Sequence, residues 1–168
     1  MIADAEAAAK EPITFTLTTG LDTGSKFTGK NGDDTFVAVD TQSVTTQTLT
    51  SGDSLVGGAG ADTLQIAASG GGAVAAPLVA SSSVETLNVT NNNTGLYTLN
   101  ASLMNGLKTV QVTAGASDLT VSGHSSILDA SLVSTSRSLT LDPASGTSGV
   151  ADSMSLTING SGTAAANL

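Results

Sequence analysis

At 168 residues the chain suits one domain, and its 39% apolar content is mostly Ala, Val and Leu with only 2% aromatics, so its core must be thin and layered. A net charge of −9, from 14 acids against five bases, excludes a basic patch and with it nucleic acid or anionic membrane as a partner. The absence of cysteine excludes disulfides and thiolate metal sites.

Residues 1–12 read as a leader or short helix, because MIADAEAAAKE has high helix propensity and Pro12 ends it. From Ile13 onward the signal is short strands with period-two alternation. In ITFTLTT, Ile13, Phe15 and Leu17 share a face, and the pattern returns in DTFVAV, DTLQIA, VETLNVT, LKTVQVT, DLTVSG, RSLTLDP and MSLTING. Residues 13–68 form a β region punctuated by Gly and Asp. Within it Thr41–Thr50 is polar with weak alternation and reads as an extra strand. Residues 69–83, SGGGAVAAPLVASSS, read as a flexible loop. Residues 84–168 form a Thr/Val-rich strand repeat that reads as truncated, since GSGTAAANL supplies no closing element. One stretch inside it, Asn100–Leu107, has an Asn cap and a late glycine that suit one or two helical turns. No apolar run approaches a membrane span, so membrane insertion is not expected.

Each strand segment is too small to bury its apolar face alone. Stacking solves this, and the predicted fold is all-β, a β-solenoid or β-helix-like stack; a sandwich is the competing solution.

GGAGADTLQ, Gly57 to Gln65, matches the nonapeptide G-G-x-G-x-D-x-U-x at every defined position, with Leu64 as the apolar residue. Glycines reach backbone conformations closed to other residues and can turn carbonyls toward a common point, where the aspartate adds a carboxylate. Hard oxygens gathered this way suit Ca²⁺. Nine residues upstream Asp53-Ser54-Leu55 repeats Asp62-Thr63-Leu64, and GKNGDDTFV places Gly29, Gly32, Asp34 and Phe36 at the motif positions with Lys30 replacing a glycine. Asp22-Thr23 begins a stretched version of the same unit. The candidate ligands are therefore Asp22, Asp34, Asp53 and Asp62, with Asn31, Asp33 and the glycines Gly32, Gly58 and Gly60 beside them. The competing role for these aspartates is to cap the backbone as Asx turns. Glu85 shares parity with Leu87 and Val89, which aims a carboxylate toward the apolar side and requires a metal or a structural contact there.

Catalysis finds little material. His124, the sole histidine, reads as a surface loop residue, and Asp129 and Asp142 read as solvated turn residues, while Asp40, at a strand end, is as readily a solvated turn residue as a further weak ligand. The chain is expected to have no enzymatic activity.

The stretch GDSLVGGAGADTLQI resembles the RTX-type calcium-binding repeats of proteins exported by type I secretion. Taken in order, FTLTTGLDTGSKFTGKNGDDTFVA, GDSLVGGAGADTL and SSVETLNVT resemble the start of the lattice-forming region of bacterial RTX-type S-layer proteins, over residues 13 to about 113. The resemblance implies Asp22, Asp34, Asp53 and Asp62 as carboxylate ligands, with carbonyls from Gly32 and Gly60. It also implies a calcium-dependent structural module at the extracellular cell surface that self-associates into a homo-oligomeric lattice. Contact with cell-surface polysaccharide would belong to regions outside this chain. Two alternatives use the same solenoid: a calcium-dependent adhesin or biofilm-matrix module, and an accessory domain of a secreted hydrolase.

Overall fold

Alternation of apolar and polar residues decides which way each strand faces. In Thr35–Asp40 (β2), Phe36 and Ala38 are buried while Thr35, Val37 and Val39 are only half-buried. The same rhythm runs through Thr63–Gly70 (β4), Thr86–Asn93 (β7), Thr109–Gly115 (β10) and Asp129–Val133 (β12). These strands lie side by side with Thr14–Thr16 (β1) before them and Leu156–Asn159 (β14) after, giving a seven-stranded sheet, here the long sheet, in the order β1-β2-β4-β7-β10-β12-β14. From β2 onward each strand of this sheet skips its sequence neighbour, so the chain must travel round a coil before it returns.

The return path supplies two further sheets. Val74–Ala75 (β5), Tyr97–Asn100 (β8), Leu119–His124 (β11), Ser138–Pro143 (β13) and Ala165–Asn167 (β15) make a five-stranded sheet, and Ser54–Val56 (β3), Ala80–Ser82 (β6) and Met104–Asn105 (β9) a three-stranded one. Every pairing between strands is parallel among the described residues. The protein is a β-solenoid. This computed structural model describes residues 10–133, 137–144, 154–159 and 165–167.

In-register pairing turns the alternation into columns. Phe15, Phe36, Leu64, Leu87, Val110 and Ala130 stack on successive strands of the long sheet, as do Ala38, Ile66, Val89, Val112 and Leu132. Tyr97, Leu119 and Leu139 line the five-stranded sheet opposite them. Each fully buried Leu, Ile or Val adds roughly 1.5–3 kcal/mol relative to exposure, so the core is a sum of small aliphatic layers. All three phenylalanines sit at the N-terminal end, where Phe15 stacks on Phe36 at 4.9 Å and meets Phe27 at 6.5 Å. They are the widest side chains available to close that end of a narrow core.

Three local expectations differ from what forms. Residues 69–83, read as a flexible loop, end β4 and supply β5 and β6, with Val79 buried at their corner. Asn100–Leu107 is not helical: the Asn100 side chain takes the Ser102 N–H in a turn, and the chain re-enters the three-stranded sheet at β9. Thr41–Thr50 makes no strand; it folds back so that the Thr48 and Leu49 N–H groups both reach the Val39 carbonyl and Leu49 is buried. That fold-back stands where the first coil would otherwise add to the five-stranded sheet, and it leaves β5 as the edge. The helix expected within residues 1–12 falls mostly on residues 1–9, outside the described residues. Among the described residues no helix is long and apolar enough to cross a membrane.

Candidate functional site

The two glycine-rich turns, Gly29–Asp34 and Gly57–Asp62, lie directly on each other. A β-carbon on Gly29 would overlap the Gly57 carbonyl and the Asp34 carboxylate, and one on Gly57 would overlap the Ser83 carbonyl and the Asp62 carboxylate. Gly60, at φ +141°, has the Gly32 carbonyl where its side chain would be. Gly58, at φ +102°, meets the Lys30 carbonyl in the same way. Glycine is required here by close backbone approach as much as by backbone angle. Lys30 is tolerated at the equivalent place in the first turn because its φ is not positive.

The carboxylates use this contact to link coils. Position by position, Ile13, Asp34, Asp62, Glu85, Lys108 and Leu128 precede neighbouring strands of the long sheet. Asp34 Oδ1 accepts the Ile13 N–H at 2.7 Å, and its Oδ2 accepts the Lys30 N–H of its own turn at 2.8 Å. Asp62 Oδ1 accepts the Asp34 N–H at 2.7 Å, and Glu85 Oε2 accepts the Asp62 N–H at 3.0 Å. The exposed Asp33 joins through Oδ1, which accepts the Ala61 N–H at 2.8 Å. The result is an acidic rail in which Asp34, Asp62 and Glu85 each hold the backbone of the coil before, while Asp33 holds that of the coil after. Glu85, whose side chain is 19% exposed, ends the rail beside Lys108 Nζ at 3.9 Å.

Asp22 and Asp53 form a separate pair at the other end of the three-stranded sheet. Asp22 accepts the Thr18 N–H and hydroxyl, each at 2.7 Å, while Asp53 accepts the Thr50 N–H at 2.8 Å, the Thr50 hydroxyl at 2.7 Å and the Asp22 N–H at 3.1 Å. Below them Val79 takes the equivalent place, so this second ladder stops after two acids. The sequence candidates thus divide between two corners. Asn31, Gly32, Asp33, Asp34, Gly58, Gly60, Asp62 and Glu85 belong to one, Asp22 and Asp53 to the other. All four motif aspartates accept backbone N–H groups: Asp22, Asp34 and Asp53 each take one from their own turn, and Asp62 takes only that of Asp34 in the coil before.

Asp62 is the exception within this pattern. It is fully buried, and its Oδ2 has no hydrogen-bond partner among the described residues, whereas the matching atom of Asp34 takes the Lys30 N–H. Burial pushes the Asp62 carboxyl above the ordinary carboxylate range; the Asp34 N–H bond opposes this, and the charges of Asp34, Glu85 and Asp33 add to the rise. Among the described residues no three His, Cys, Asp or Glu side chains converge into a compact cluster.

Several polar residues are more deeply placed than their local sequence implies. Asp40 is buried and accepts the Tyr97 hydroxyl at 2.8 Å, a pair that raises the tyrosine pKa, chiefly by burial. It flanks a groove of about 610 Å³ that Gln42, Gln47, Val74 and Pro77 also line. His124 is buried rather than on a surface loop, with Nδ1 at 2.7 Å from the Ser126 carbonyl. Asn91 and Asn93 are buried too, Asn91 donating to Ser117 and to the Asp118 carbonyl. Asp129 and Asp142 are exposed, as solvated turn residues should be. No short-range motif marks Asp40 or Asn91, whose partners are 57 and 26 or 27 residues away.

No family model, curated protein or solved structure matches this chain. Its chemistry must therefore be judged from the corner itself. The donor set is entirely hard oxygen, from carboxylates and glycine-turn carbonyls, and one buried carboxylate oxygen is unspent. Such a set fits Ca²⁺ better than a metal that prefers nitrogen or sulfur.

Proposed function

We propose that this chain is a structural rather than catalytic module, a β-solenoid whose acidic rail takes Ca²⁺ and which assembles as part of an extracellular surface layer. The observation that carries the reading is Asp62 Oδ2, buried beside Gly57 and without a hydrogen-bond partner among the described residues. An isolated buried carboxylate is expensive, and a cation removes that cost. Asp62, Asp33 and Asn31 would hold the ion, with carbonyls from the turns at Gly32, Gly58 and Gly60. Asp34 and Glu85 add negative charge along the rail. Asp22 and Asp53 would act at their own corner, where both already brace the turn.

Bound calcium would neutralise the rail and fix coil register, so that metal binding contributes to folding. The scarcity of free calcium inside cells and its abundance outside would then restrict assembly to the surface. Circular dichroism of the chain in calcium and in excess chelator tests this. The expected result is a β-spectrum whose melting temperature falls when calcium is removed; identical melts in the two conditions would sink the calcium reading.

A further inference from the structure

Asparagine followed by glycine occurs three times in the chain, at Asn31, Asn105 and Asn159. Asparagine is a thermolabile residue, and a following glycine has no β-carbon to keep its nitrogen from the asparagine side-chain carbonyl. We infer that Asn105–Gly106 is a self-modification site of the folded protein, and that the fold holds the same dipeptide at Asn31–Gly32 inert.

The chemistry needs only water. The Gly106 nitrogen, losing its proton, bonds to Asn105 Cγ; the Cγ–Nδ2 bond breaks and the side-chain nitrogen leaves with that proton as ammonia. Water then opens the five-membered imide. Attack at Cγ leaves aspartate, whereas attack at the main-chain carbonyl leaves isoaspartate, whose backbone runs through the side chain and is one carbon longer. Nothing is oxidised or reduced, and calcium plays no part.

Ring closure requires rotation about the asparagine Cα–C bond, which swings the following glycine. At Asn105 there is room for this. Asn105 and Gly106 are both exposed, β9 is the outer strand of its sheet, and no hydrogen bond holds the Gly106 N–H among the described residues. Rotation gives up the bond from the Ser83 N–H to the Asn105 carbonyl, and the atom nearest the place of a Gly106 side chain is the Ser83 nitrogen at 3.2 Å. At Asn31 the same rotation is blocked. Gly32 is buried, the Lys10 and Glu11 carbonyls stand 2.6 Å from the place of its side chain, and its own carbonyl occupies that place at Gly60. Charge widens the difference. Asp33 and Asp34 follow Gly32 and oppose loss of its amide proton, whereas Leu107 and Lys108 follow Gly106. Asn159 ends β14, and Gly160 lies outside the described residues. The consequence at Asn105 is local: it pairs with Ser82, so the longer isoaspartyl backbone frees β9 from the three-stranded sheet and leaves the long sheet intact.

Incubation of the full chain in calcium at mildly alkaline pH, below its melting temperature, tests the assignment by peptide mapping and isoaspartyl-methyltransferase labelling. Asn105 is expected to convert at least about tenfold faster than Asn31, and the label should appear in its peptide. Asn105→Gln, which would need a less favourable six-membered ring, should lose that label. In guanidinium chloride, which unfolds the chain and screens its charges, Asn31 and Asn105 should convert at similar rates. Asn105 that stays intact in the folded chain while it converts in guanidinium overturns the proposal. So does Asn31 converting as fast as Asn105 in the folded chain, or a gap that persists unchanged in guanidinium. Aged wild type should melt below Asn105→Asp, which carries the charge without the longer backbone; equal melting overturns the loss of β9.

Discussion

Asp62 spends its two oxygens differently. Oδ1 holds the Asp34 N–H and so ties one coil to the next, while Oδ2 is buried with no hydrogen-bond partner among the described residues. A carboxyl whose pKa rises on folding takes a proton more readily folded than unfolded. It therefore favours folding at low pH and opposes folding as pH rises through the raised value. In chelator, wild type is expected to lose stability relative to Asp62→Asn as pH climbs from the ordinary carboxylate range toward neutrality. On the proposed calcium reading, added calcium should reverse the order at neutral pH, because only the carboxylate would gain from an ion. Paired thermal melts across that pH range check both signs, and parallel pH slopes for the two proteins would show that the buried oxygen is inert. The sequence made this residue legible because glycine spacing is local. Glu85 was legible through strand parity alone. Asp40 was not, because its meaning depends on Tyr97, 57 residues away.

At the scale of elements, the glycine turn is a stacking device before it is anything else. Gly57 has the Ser83 carbonyl and the Asp62 carboxylate in the place of a side chain, whereas Gly71 has nothing within 4 Å. Gly57→Ala must push two coils apart and should cost about 3 kcal/mol or more, while Gly71→Ala should stay within about 0.5 kcal/mol of wild type. Denaturant unfolding of the two variants measures the difference, and equal midpoints would refute the stacking argument. The long-sheet strands β2, β4, β7 and β10 announce themselves by five or more alternating residues. β5, β6 and β9 do not, since two or three residues of Val, Ala, Ser, Met or Asn carry no period. Those segments become strands because the coil beneath offers a ready edge, a tertiary cause that composition cannot express. The same cause overrode the helical look of Asn100–Leu107.

For the whole molecule, the decisive feature is that the acidic rail occupies only part of the stack. Asp34, Asp62 and Glu85 precede β2, β4 and β7, but Lys108 and Leu128 fill the same position before β10 and β12. In a solenoid each coil touches only its neighbours, so stability is close to a sum of coil and interface terms. Like-charge repulsion and the orphaned oxygen therefore weaken the interfaces β2–β4 and β4–β7 without reaching β10–β12. The Leu87–Val110 and Val89–Val112 pairs remain aliphatic and in register whatever happens at the rail. Removing calcium should open the N-terminal coils first. Hydrogen exchange in chelator is expected to show lost protection over β1 to β4 with β10 to β12 still protected, and calcium should restore the first group selectively. Uniform loss along the whole stack would mean that the solenoid unfolds as one unit and that the rail does not set its weakest interface. The N-terminal phenylalanine cluster sharpens the expectation, because Phe15 packs on both Phe27 and Phe36 at that end of the core. Their packing holds that end together but cannot offset charge at the corner, so the opening should begin at the Asp34–Asp62 contact and spread outward to β1.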